Sequence, residues 1–307
     1  MDAEKRVIAL GFFDGLHLGH RALLEKTAER ARALDCTPSV ISFDTHPSRT
    51  VTGGAVELIH SPLDRSALLR ERFGIEDQIF LHFDETLMRM PWDRFVEWLA
   101  RDWQAVHLVA GYDFRFGYRG AGNADLLRDK CAALGLGCDV IPQVTLDGVP
   151  VNSTYIRELL RDGRIETANR FLGYRHFFTG IVRDGFRLGR TMGVPTVNMR
   201  LAEGVLTPAR GVYVTEVTLP DGRVFPGVTN IGVRPTVGGS DRISVETHLL
   251  GFSGNLYGRL LRVAFYTRLR EERKFDGMDA LKAQIHADIA AAEAYFAAAG
   301  HETEVLP

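Results

Sequence analysis

The spacing of apolar residues changes near residue 173, and this change constrains the fold more than any other feature of the chain. Before it, short apolar runs alternate with longer segments of helical period, which is typical of strand and helix units on a parallel sheet. After it, apolar and polar residues alternate between turn signals such as Asp221-Gly222, which is typical of an antiparallel barrel. The 307 residues therefore predict two domains, over 1–173 and 174–307, joined around residues 173–176.

The first half has the pattern of an α/β doubly wound sheet. The predicted strands are 7–10, 40–43, 77–81, 107–110 and 138–141, and the predicted helices between them are 21–34, 65–73, 91–102 and 124–134. In such a Rossmann-like sheet the ligand lies beyond the carboxyl ends of the strands. The residues that follow each strand are therefore the candidate site residues. The tryptophans of this half, Trp92, Trp98 and Trp103, have roughly helical spacing and are predicted to pack in the core or an interface.

The second half has the pattern of a mostly antiparallel six-stranded β-barrel closed by a C-terminal helix. The predicted strands are 177–182, 194–199, 212–219, 223–231, 243–250 and 260–267. In the predicted helix, apolar residues recur at spacings of three and four, which places them on one face. These are Leu281, Ile285, Ile289, Ala292 and Phe296.

The composition excludes several classes of protein. The formal net charge of -2 argues against bulk attraction to nucleic acid or to an anionic membrane. No apolar run approaches the roughly 20 residues that span a bilayer, and the charged N-terminus is unlike a signal peptide. The three cysteines lack the close spacing of a zinc site, so we predict reduced thiols. These features predict a cytoplasmic protein without a nucleic-acid or membrane partner, and they leave homo-oligomer formation open.

Directly after the first predicted strand comes the string G-F-F-D-G-L-H-L-G-H, residues 11–20, in which a helix is predicted to begin. Backbone N–H groups and the imidazoles of His17 and His20 converge there, and Gly19 lets an anionic phosphate come close. For a single histidine, the alternative is a structural role in satisfying a turn carbonyl. The position of the whole string, at a change from strand to helix, favours a phosphate site.

This string resembles the H-x-G-H signature of nucleotidylyltransferases, and in its full form it is similar to the FAD synthetase module of bacterial bifunctional riboflavin kinase/FAD synthetases. The resemblance implies that His17 and His20 contact the phosphates of ATP and stabilise the charge that develops as pyrophosphate leaves. It also places four further residues of the string at the nucleotide, namely Gly11, Phe13, Asp14 and Gly19.

Three further segments resemble the same module in the same order. Residues 43–47, F-D-T-H-P, resemble its F-D-P-H-P loop, and residues 111–117 resemble G-x-D-F-R-F-G, which implies binding roles for Asp113 and Phe114. Residues 152–157 resemble S-S-T-x-I-R, in which Ser153, Thr154 and Arg157 would grip phosphate oxygens at a helix start. The chain departs from the family pattern at Asn152, at Tyr155 and over 116–123, where F-G-Y-R-G-A-G-N replaces F-G-K-G-R-A-G-D. The general fold also admits another phosphorylated acceptor, such as phosphopantetheine or a nicotinamide mononucleotide.

Residues 180–198 are rich in glycine and end in P-T-V-N. Taken alone they are compatible with a barrel hairpin, although Thr196 and Asn198 offer neutral oxygens that suit a hard cation. The segment resembles the riboflavin kinase motif G-x-x-x-G-R-x-L-G-x-P-T-A-N, with Val197 in place of alanine. The resemblance implies that Thr196 and Asn198 hold Mg-ATP and that four other residues contact the nucleotide. These are Gly189, Arg190, Gly193 and Pro195.

The match to riboflavin kinases continues to residue 275. Residues 225–236 resemble Y-P-G-V-x-N-I-G-x-R-P-T, which implies binding roles for Asn230 and Arg234. Residues 245–250 resemble V-E-x-H-L-L, which implies that Glu246 accepts the proton of the riboflavin 5′-hydroxyl. The alternative for Glu246 is an exposed charge on the polar face of a strand. Arg270 and Phe275 are predicted to begin the closing helix and to border the flavin.

The matches together cover nearly the whole chain and predict two sequential reactions. Riboflavin is phosphorylated by ATP to FMN in the second half, and FMN is adenylylated by ATP to FAD in the first half, each with Mg²⁺. One alternative is a riboflavin kinase whose first half has decayed, to which the departures near Arg119 and Asn152 point. Another is a non-catalytic flavin-binding regulator, against which Glu246 argues because a pure binder has no need of a base.

Overall fold

A computed structural model describes residues 4–45, 56–183, 193–235 and 241–298 of the chain. Contacts divide the chain into two compact units, one of Met1–Leu58 and Pro62–Ser153, the other of Ile59–Ser61 and Thr154–Pro307. Residues 154–173 thus pack with the second unit. The sequence prediction divides the chain between residues 173 and 174 according to the two activities. That division stays a prediction.

The first unit is built on a five-stranded parallel sheet in the order β3-β2-β1-β4-β5, which confirms the doubly wound fold. All five predicted strands are present, and the predicted helices correspond to α1, α2, α4 and α5. The strands are β1 Arg6–Leu10, β2 Thr37–Phe43, β3 Asp77–Leu81, β4 Ala105–Gly111 and β5 Gly137–Ile141. The helices are α1 Leu18–Leu34, α2 Pro62–Phe73, α3 Glu85–Arg89, α4 Trp92–Asp102 and α5 Ala124–Ala133, and a small hairpin of β6 Thr145–Leu146 and β7 Val149–Pro150 follows.

The centre of this sheet is apolar and buried, because strand β1 has apolar residues at successive positions. Val7, Ile8 and Ala9 are fully buried, as expected of a parallel strand covered by helices on both faces. The three tryptophans pack against the core cluster that contains Ile8 and Leu108, which confirms their predicted core role. The strand order reverses between β1 and β4, so the loops after these two strands flank the point where a doubly wound sheet binds its ligand.

The second unit is a closed barrel in the order β10-β11-β12-β9-β8-β13, and every pairing in it is antiparallel. The predicted six-stranded barrel and its closing helix are therefore confirmed. The strands are β8 Phe177–Arg183, β9 Val197–Arg200, β10 Gly211–Thr218, β11 Val224–Pro235, β12 Asp241–Leu249 and β13 Leu260–Glu271. The helices are α6 Ser153–Arg161, α7 Ile165–Leu172 and α8 Met278–Ala298.

Several element boundaries differ from the sequence prediction by a few residues, and two of these differences concern candidate site residues. Strand β9 begins at Val197 rather than at 194, because Pro195 has no N–H to donate to a ladder. The prediction that Arg270 and Phe275 begin the closing helix is wrong. Pairing with β10 continues as far as Gly211 opposite Glu271, so Arg270 lies in β13 and Phe275 in the following loop. The helix begins only after Gly277, whose φ of +128° is incompatible with helical backbone.

A chain of threonine hydroxyls fills part of the barrel interior. Thr215 of β10, Thr229 of β11 and Thr247 of β12 are fully buried. The hydroxyl of Thr229 lies 2.8 Å from that of Thr215 and 2.9 Å from that of Thr247. A hydroxyl can both donate and accept, so Thr229 bonds to both neighbours and each of the three buried hydroxyls has a partner. Successive side chains of a strand point to opposite faces, so the chain neighbours of these threonines, such as Glu246 beside Thr247, face out of the barrel.

His176 gives the second unit a predicted dependence on pH. Its side chain is fully buried, and neither ring nitrogen has a hydrogen-bond partner among the residues that the structure describes. Burial, and then the nearby His60, hold the pKa of His176 well below its ordinary value. The unfolded chain therefore takes up a proton near pH 6.5 that the folded chain does not, so this residue lowers stability as the pH falls below about 6.5.

We expect the melting temperature of His176→Leu protein to fall less between pH 8 and pH 5 than that of the wild type. Differential scanning calorimetry across this range measures the effect. His286→Leu, which removes an exposed histidine from α8, is the matched control and should keep the wild-type slope. Equal slopes for His176→Leu and wild type would contradict the assignment.

No helix in the described ranges is long and apolar enough to cross a bilayer. The three cysteines are free thiols.

Candidate active sites

His17 and His20 lie at the N-terminus of α1, directly beyond the carboxyl end of β1. His17 is the N-cap residue, and its Nδ1 accepts a hydrogen bond of 3.3 Å from the backbone N–H of His20. Because Nδ1 accepts this hydrogen bond, the proton of a neutral His17 imidazole resides on Nε2. The imidazole therefore lies at a helix start, where the helix dipole favours an anion.

The two imidazole rings stack, with centroids 3.7 Å apart and planes inclined by 15°. Gly19 makes this possible, since a Cβ at that position would lie 3.2 Å from the ring of His17. Burial, then His17, then Arg65 hold the pKa of His20 well below its ordinary value, so His20 is neutral at pH 7. Its Nδ1 is buried without a hydrogen-bond partner among the described residues. The stacked pair thus places two imidazoles at a helix start, that of His20 being neutral, a geometry that suits phosphate oxygens.

The other residues of the string support the histidines. Gly11 follows β1, and the ring of Phe13 lies against it, 3.0 Å from where a Cβ would be. Phe13 is fully buried, and its ring meets that of His20 edge to face at 5.2 Å. Its side chain therefore positions His20 rather than facing open space. Asp14 is buried, and its carbonyl oxygen accepts a 2.8 Å hydrogen bond from the hydroxyl of Ser153.

The segments after β2 and β4 begin at the edge of the sheet where the histidines lie, because the three strands are parallel. Asp113 is exposed just beyond β4, whereas Phe114 stacks on Phe116 at 5.3 Å and packs against the core. Asp44, beyond β2, lies 2.8 Å from His82, and residues 46 and 47 of the F-D-T-H-P match fall outside the described residues. The structure thus brings Asp113 to the predicted edge and gives Phe114 a packing role.

Two departures from the family pattern have structural explanations. Asn123 is the N-cap of α5, where its side-chain oxygen accepts the N–H of Leu126 at 2.9 Å, and asparagine caps a helix as well as aspartate does. Tyr155 packs edge to face on Phe171 at 5.0 Å within the second unit. Thr154 and buried Arg157 also belong to the second unit, and their role at the histidine site stays a prediction.

In the barrel, one row of directly opposed residues crosses five neighbouring strands. Asn198 of β9 lies opposite Glu246 of β12, which lies opposite Asn230 of β11. The row continues through Val212 of β10 to Arg270 of β13. Directly opposed residues project from the same face of a sheet. The structure therefore brings together Asn198, Glu246, Asn230 and Arg270, which the sequence places up to 72 residues apart.

A cavity of about 390 Å³ lies between this face and α8. Its volume is in the range of sites for small organic ligands. Apolar residues of α8 form one wall, so the predicted apolar face of this helix is only partly packed on the barrel. The residues that line it include Thr196, Asn230, Glu246, Phe275, Leu281 and Ile285.

A second cavity of about 280 Å³ adjoins the first and shares Thr196 with it. Pro195 and Val197 also line it, opposite the loop 252–257. The nearby Gly193 has a φ of +77°, whereas Gly189, Arg190 and the side chain of Arg234 lie outside what the structure describes. The P-T-x-N segment therefore separates two cavities, with the hydroxyl residue at their border.

Sequence reasoning missed two residues at this site. His248, two residues after Glu246, has Nδ1 2.7 Å from the carbonyl oxygen of Pro195 and so holds the P-T-x-N segment. Asp288, a single acidic residue on the otherwise apolar face of α8, is buried and receives hydrogen bonds from Nε and Nη2 of Arg270 at 2.7–3.1 Å. The charge of Arg270, predicted to act on the ligand, is therefore paired with α8. Phe275 lies 5.6 Å from the same guanidinium and lines the larger cavity.

Comparison with known proteins finds matches over nearly the whole chain. The family described as FAD synthetase matches residues 1–155, and the family described as riboflavin kinase matches residues 172–296. A bifunctional riboflavin kinase/FMN adenylyltransferase of Pseudomonas fluorescens is 38% identical over 296 residues, which cover 96% of this chain and 94% of that protein. The protein of the same description from Bacillus subtilis (strain 168) is 34% identical over 299 residues, with coverage of 96% and 94%.

Among solved structures, a Streptococcus pneumoniae protein described as a macrolide-efflux protein has a similar fold. Its TM-score is 0.86 at 27% sequence identity, with 95% of both chains covered. The parallel sheet and the barrel described above are thus a combination that occurs in an experimentally determined structure.

Proposed function

The chain belongs to the bifunctional riboflavin kinase/FMN adenylyltransferase family and contains both of its domains, and we propose that its barrel cavity phosphorylates riboflavin while its histidine site adenylylates FMN. The position of Glu246, which lines a ligand-sized cavity between Asn198 and Asn230, is the main support for the proposal about the barrel. The stacked histidines at the start of α1 carry it for the sheet.

In the kinase reaction, Glu246 orients the 5′-hydroxyl of riboflavin and accepts its proton as the oxygen attacks the γ-phosphorus of ATP. The bond between that phosphorus and the β,γ-bridging oxygen breaks, and ADP leaves. A carboxylate is a weak base for an alcohol, but the proton leaves late in a loose phosphoryl-transfer transition state. The main contribution of Glu246 is therefore orientation, for which its fixed place between Asn198 and Asn230 is suited.

The two adjoining cavities suit the two substrates of this reaction. The larger one, walled by apolar residues of α8 and by Phe275, accepts the flavin ring, and the smaller one accepts the nucleotide. Thr196 at their border and Asn198 would hold Mg²⁺, which neutralises phosphate charge when bound. Two neutral oxygen donors fit this ion, because it usually keeps several waters and takes other ligands from substrate phosphates.

In the adenylyltransferase reaction, a phosphate oxygen of FMN attacks the α-phosphorus of ATP and pyrophosphate leaves. The imidazoles of His17 and His20 stabilise the charge on the phosphates, and the helix dipole adds to this effect. Positioning and electrostatic stabilisation suffice here, so no covalent intermediate with the protein is needed.

A riboflavin kinase with a decayed first half is the alternative. The stacked histidines, the exposed Asp113 and the retained cap at Asn123 argue for an intact site. Incubation of the protein with riboflavin and Mg-ATP, followed by chromatography over time, tests the proposal. FMN should appear first and decline as FAD rises. FMN without FAD would support the alternative, and the absence of both products from folded protein would overturn the proposal.

The Arg270–Asp288 pair predicts a link between the closing helix and flavin binding. Asp288→Ala leaves the guanidinium of Arg270 without its partner, for which we expect a loss of about 3 kcal/mol in the free energy of unfolding. Because α8 walls the larger cavity, riboflavin should also bind more weakly. Chemical denaturation and quenching of riboflavin fluorescence measure the two effects. Glu293→Ala, on an exposed part of the same helix, should change neither.

A further inference from the structure

Arg65, in the first turn of α2, has a fully charged side chain in the interior of the first unit. It is only 1% exposed and is the largest of the fully buried side chains of the described residues. Arginine is rarely buried to this extent without a specific partner set. No motif in the sequence singles this residue out, and the reactions proposed above do not use it. Its contacts therefore indicate what it does.

The guanidinium joins the carboxyl ends of two neighbouring strands. Nη1 donates to the carbonyl oxygen of Phe12, just beyond β1, at 2.8 Å, and Nη2 donates to that of Phe43, the last residue of β2, at 2.7 Å. The hydroxyl of Ser42 donates to the same Phe12 oxygen at 3.0 Å. The planar fork of arginine is suited to two such acceptors, whereas a lysine ammonium is a single point. Arg65 thus fixes the start of the loop that carries His17.

The charge of Arg65 is retained in this buried position. The cation lies 4.6 Å from the ring centroid of Phe12 and 5.1 Å from that of Phe80, and aromatic faces attract cations. Burial lowers the pKa of Arg65 to about 10, while the charges of Asp14 and Asp44 oppose the shift. At neutral pH the loop after β1 therefore rests on a fixed positive charge, which also lies near enough to affect His20.

Phe13 links the hydrogen bond between Arg65 and the Phe12 carbonyl to the histidine pair. Phe13 has a φ of +58°, a left-handed backbone conformation that is unfavourable for an aromatic residue. Its ring, buried in this conformation, meets the ring of His20 edge to face. Holding the carbonyl of Phe12 holds the peptide that precedes Phe13. The orientation of the His20 ring consequently depends on the anchor that Arg65 provides.

We propose that Arg65 is a positioning residue for adenylyl transfer, which ties the ends of β1 and β2 together and thereby fixes the rings of Phe13 and His20. This inference rests on the proposed function of the histidine site. Arg65 does not touch the nucleotide, and its effect is on the orientation of groups that do.

Arg65→Lys and Arg65→Met test the proposal, with FAD formation from FMN as the reaction measured. For Arg65→Met we expect kcat to fall about 100-fold, because misplacing a catalytic group by about 1 Å has an effect of this size. Arg65→Lys keeps the charge but loses the fork, and its kcat should fall about 10-fold. The KM values for ATP and FMN should change by less than about threefold, which marks a loss confined to the transition state.

The same protein provides the controls. Riboflavin phosphorylation by the second unit should stay at the wild-type rate in both variants, and Arg70→Met, which alters an exposed arginine of the same helix, should leave both activities unchanged. If Arg65→Met unfolds the first unit, Arg65→Lys decides. A wild-type kcat in Arg65→Lys, or a rise in KM with kcat unchanged, overturns the proposal. Failure of the wild-type protein to form FAD would instead contradict the proposed function.

Discussion

Glu246→Gln protein should form FMN from riboflavin at a rate lower than the wild type by a factor of about 10² to 10⁴, the usual range for loss of a positioned acid or base. Glutamine has nearly the same shape as glutamate and keeps hydrogen-bonding capacity, but it does not accept the proton. Riboflavin should therefore still bind, and the loss should appear in kcat. Initial rates with riboflavin and Mg-ATP, with FMN quantified by chromatography, measure the effect.

The second activity of the chain is the internal control for this variant. FMN added from outside should be converted to FAD at the wild-type rate, because the histidine site is built from other residues. Glu216→Gln is a matched control on strand β10, where the carboxylate accepts a 2.9 Å hydrogen bond from Tyr266 that glutamine also accepts. Full phosphorylation by Glu246→Gln would show that Glu246 is only a surface charge.

His20→Ala protein should lose FAD formation by a factor of about 10² to 10³, the usual cost of removing one donor that stabilises transition-state charge. Alanine removes the ring that stacks on His17 and so disturbs both imidazoles of the site. FMN should accumulate in an assay started with riboflavin, because the barrel reaction is unaffected. Time courses of all three flavins measure this outcome.

His20→Asn is the informative companion variant. It restores a side-chain N–H without the stacked ring and should recover part of the activity. Unchanged FAD formation in His20→Ala would reject the role assigned to the histidine pair, and loss of both activities together would indicate unfolding instead.

The sequence predicts the fold of this chain well because apolar periodicity is strong in both halves. Val7 to Leu10 form a continuous apolar run, which is typical of a buried parallel strand, and the alternation around Thr247 matches the period of a barrel strand. Where the predicted end of a strand is wrong, the length of the strand that pairs with it explains the difference. Arg270 lies in a strand because β10 extends far enough to pair with it, and no local pattern shows the length of a partner strand.

The motif residues of the sites were predictable, and their supporting residues were not. The segments after β1 and β4 and the row on the barrel carry family motifs that identify them without coordinates. His248 is the histidine of the V-E-x-H-L-L match, so only its role was missed, whereas Arg65 and Asp288 lie outside the quoted motifs and have backbone carbonyls or distant side chains as partners. Such contacts arise from tertiary packing, so they leave no spacing in the sequence. Phe13 illustrates a further case, since its motif position implies ligand contact, which stays a prediction, while the structure shows its ring buried against His20.

The row of opposed residues on the barrel makes phosphorylation a reporter of refolding fidelity. Side chains alternate between the two faces of a strand, so a shift of β12 by one residue would turn Glu246 toward the threonine hydroxyls and present Val245 or Thr247 to the cavity. A barrel misaligned in this way would retain most of its sheet circular dichroism and yet make no FMN. The ratio of recovered kinase activity to recovered sheet signal therefore counts the fraction of molecules that refold with correct strand alignment.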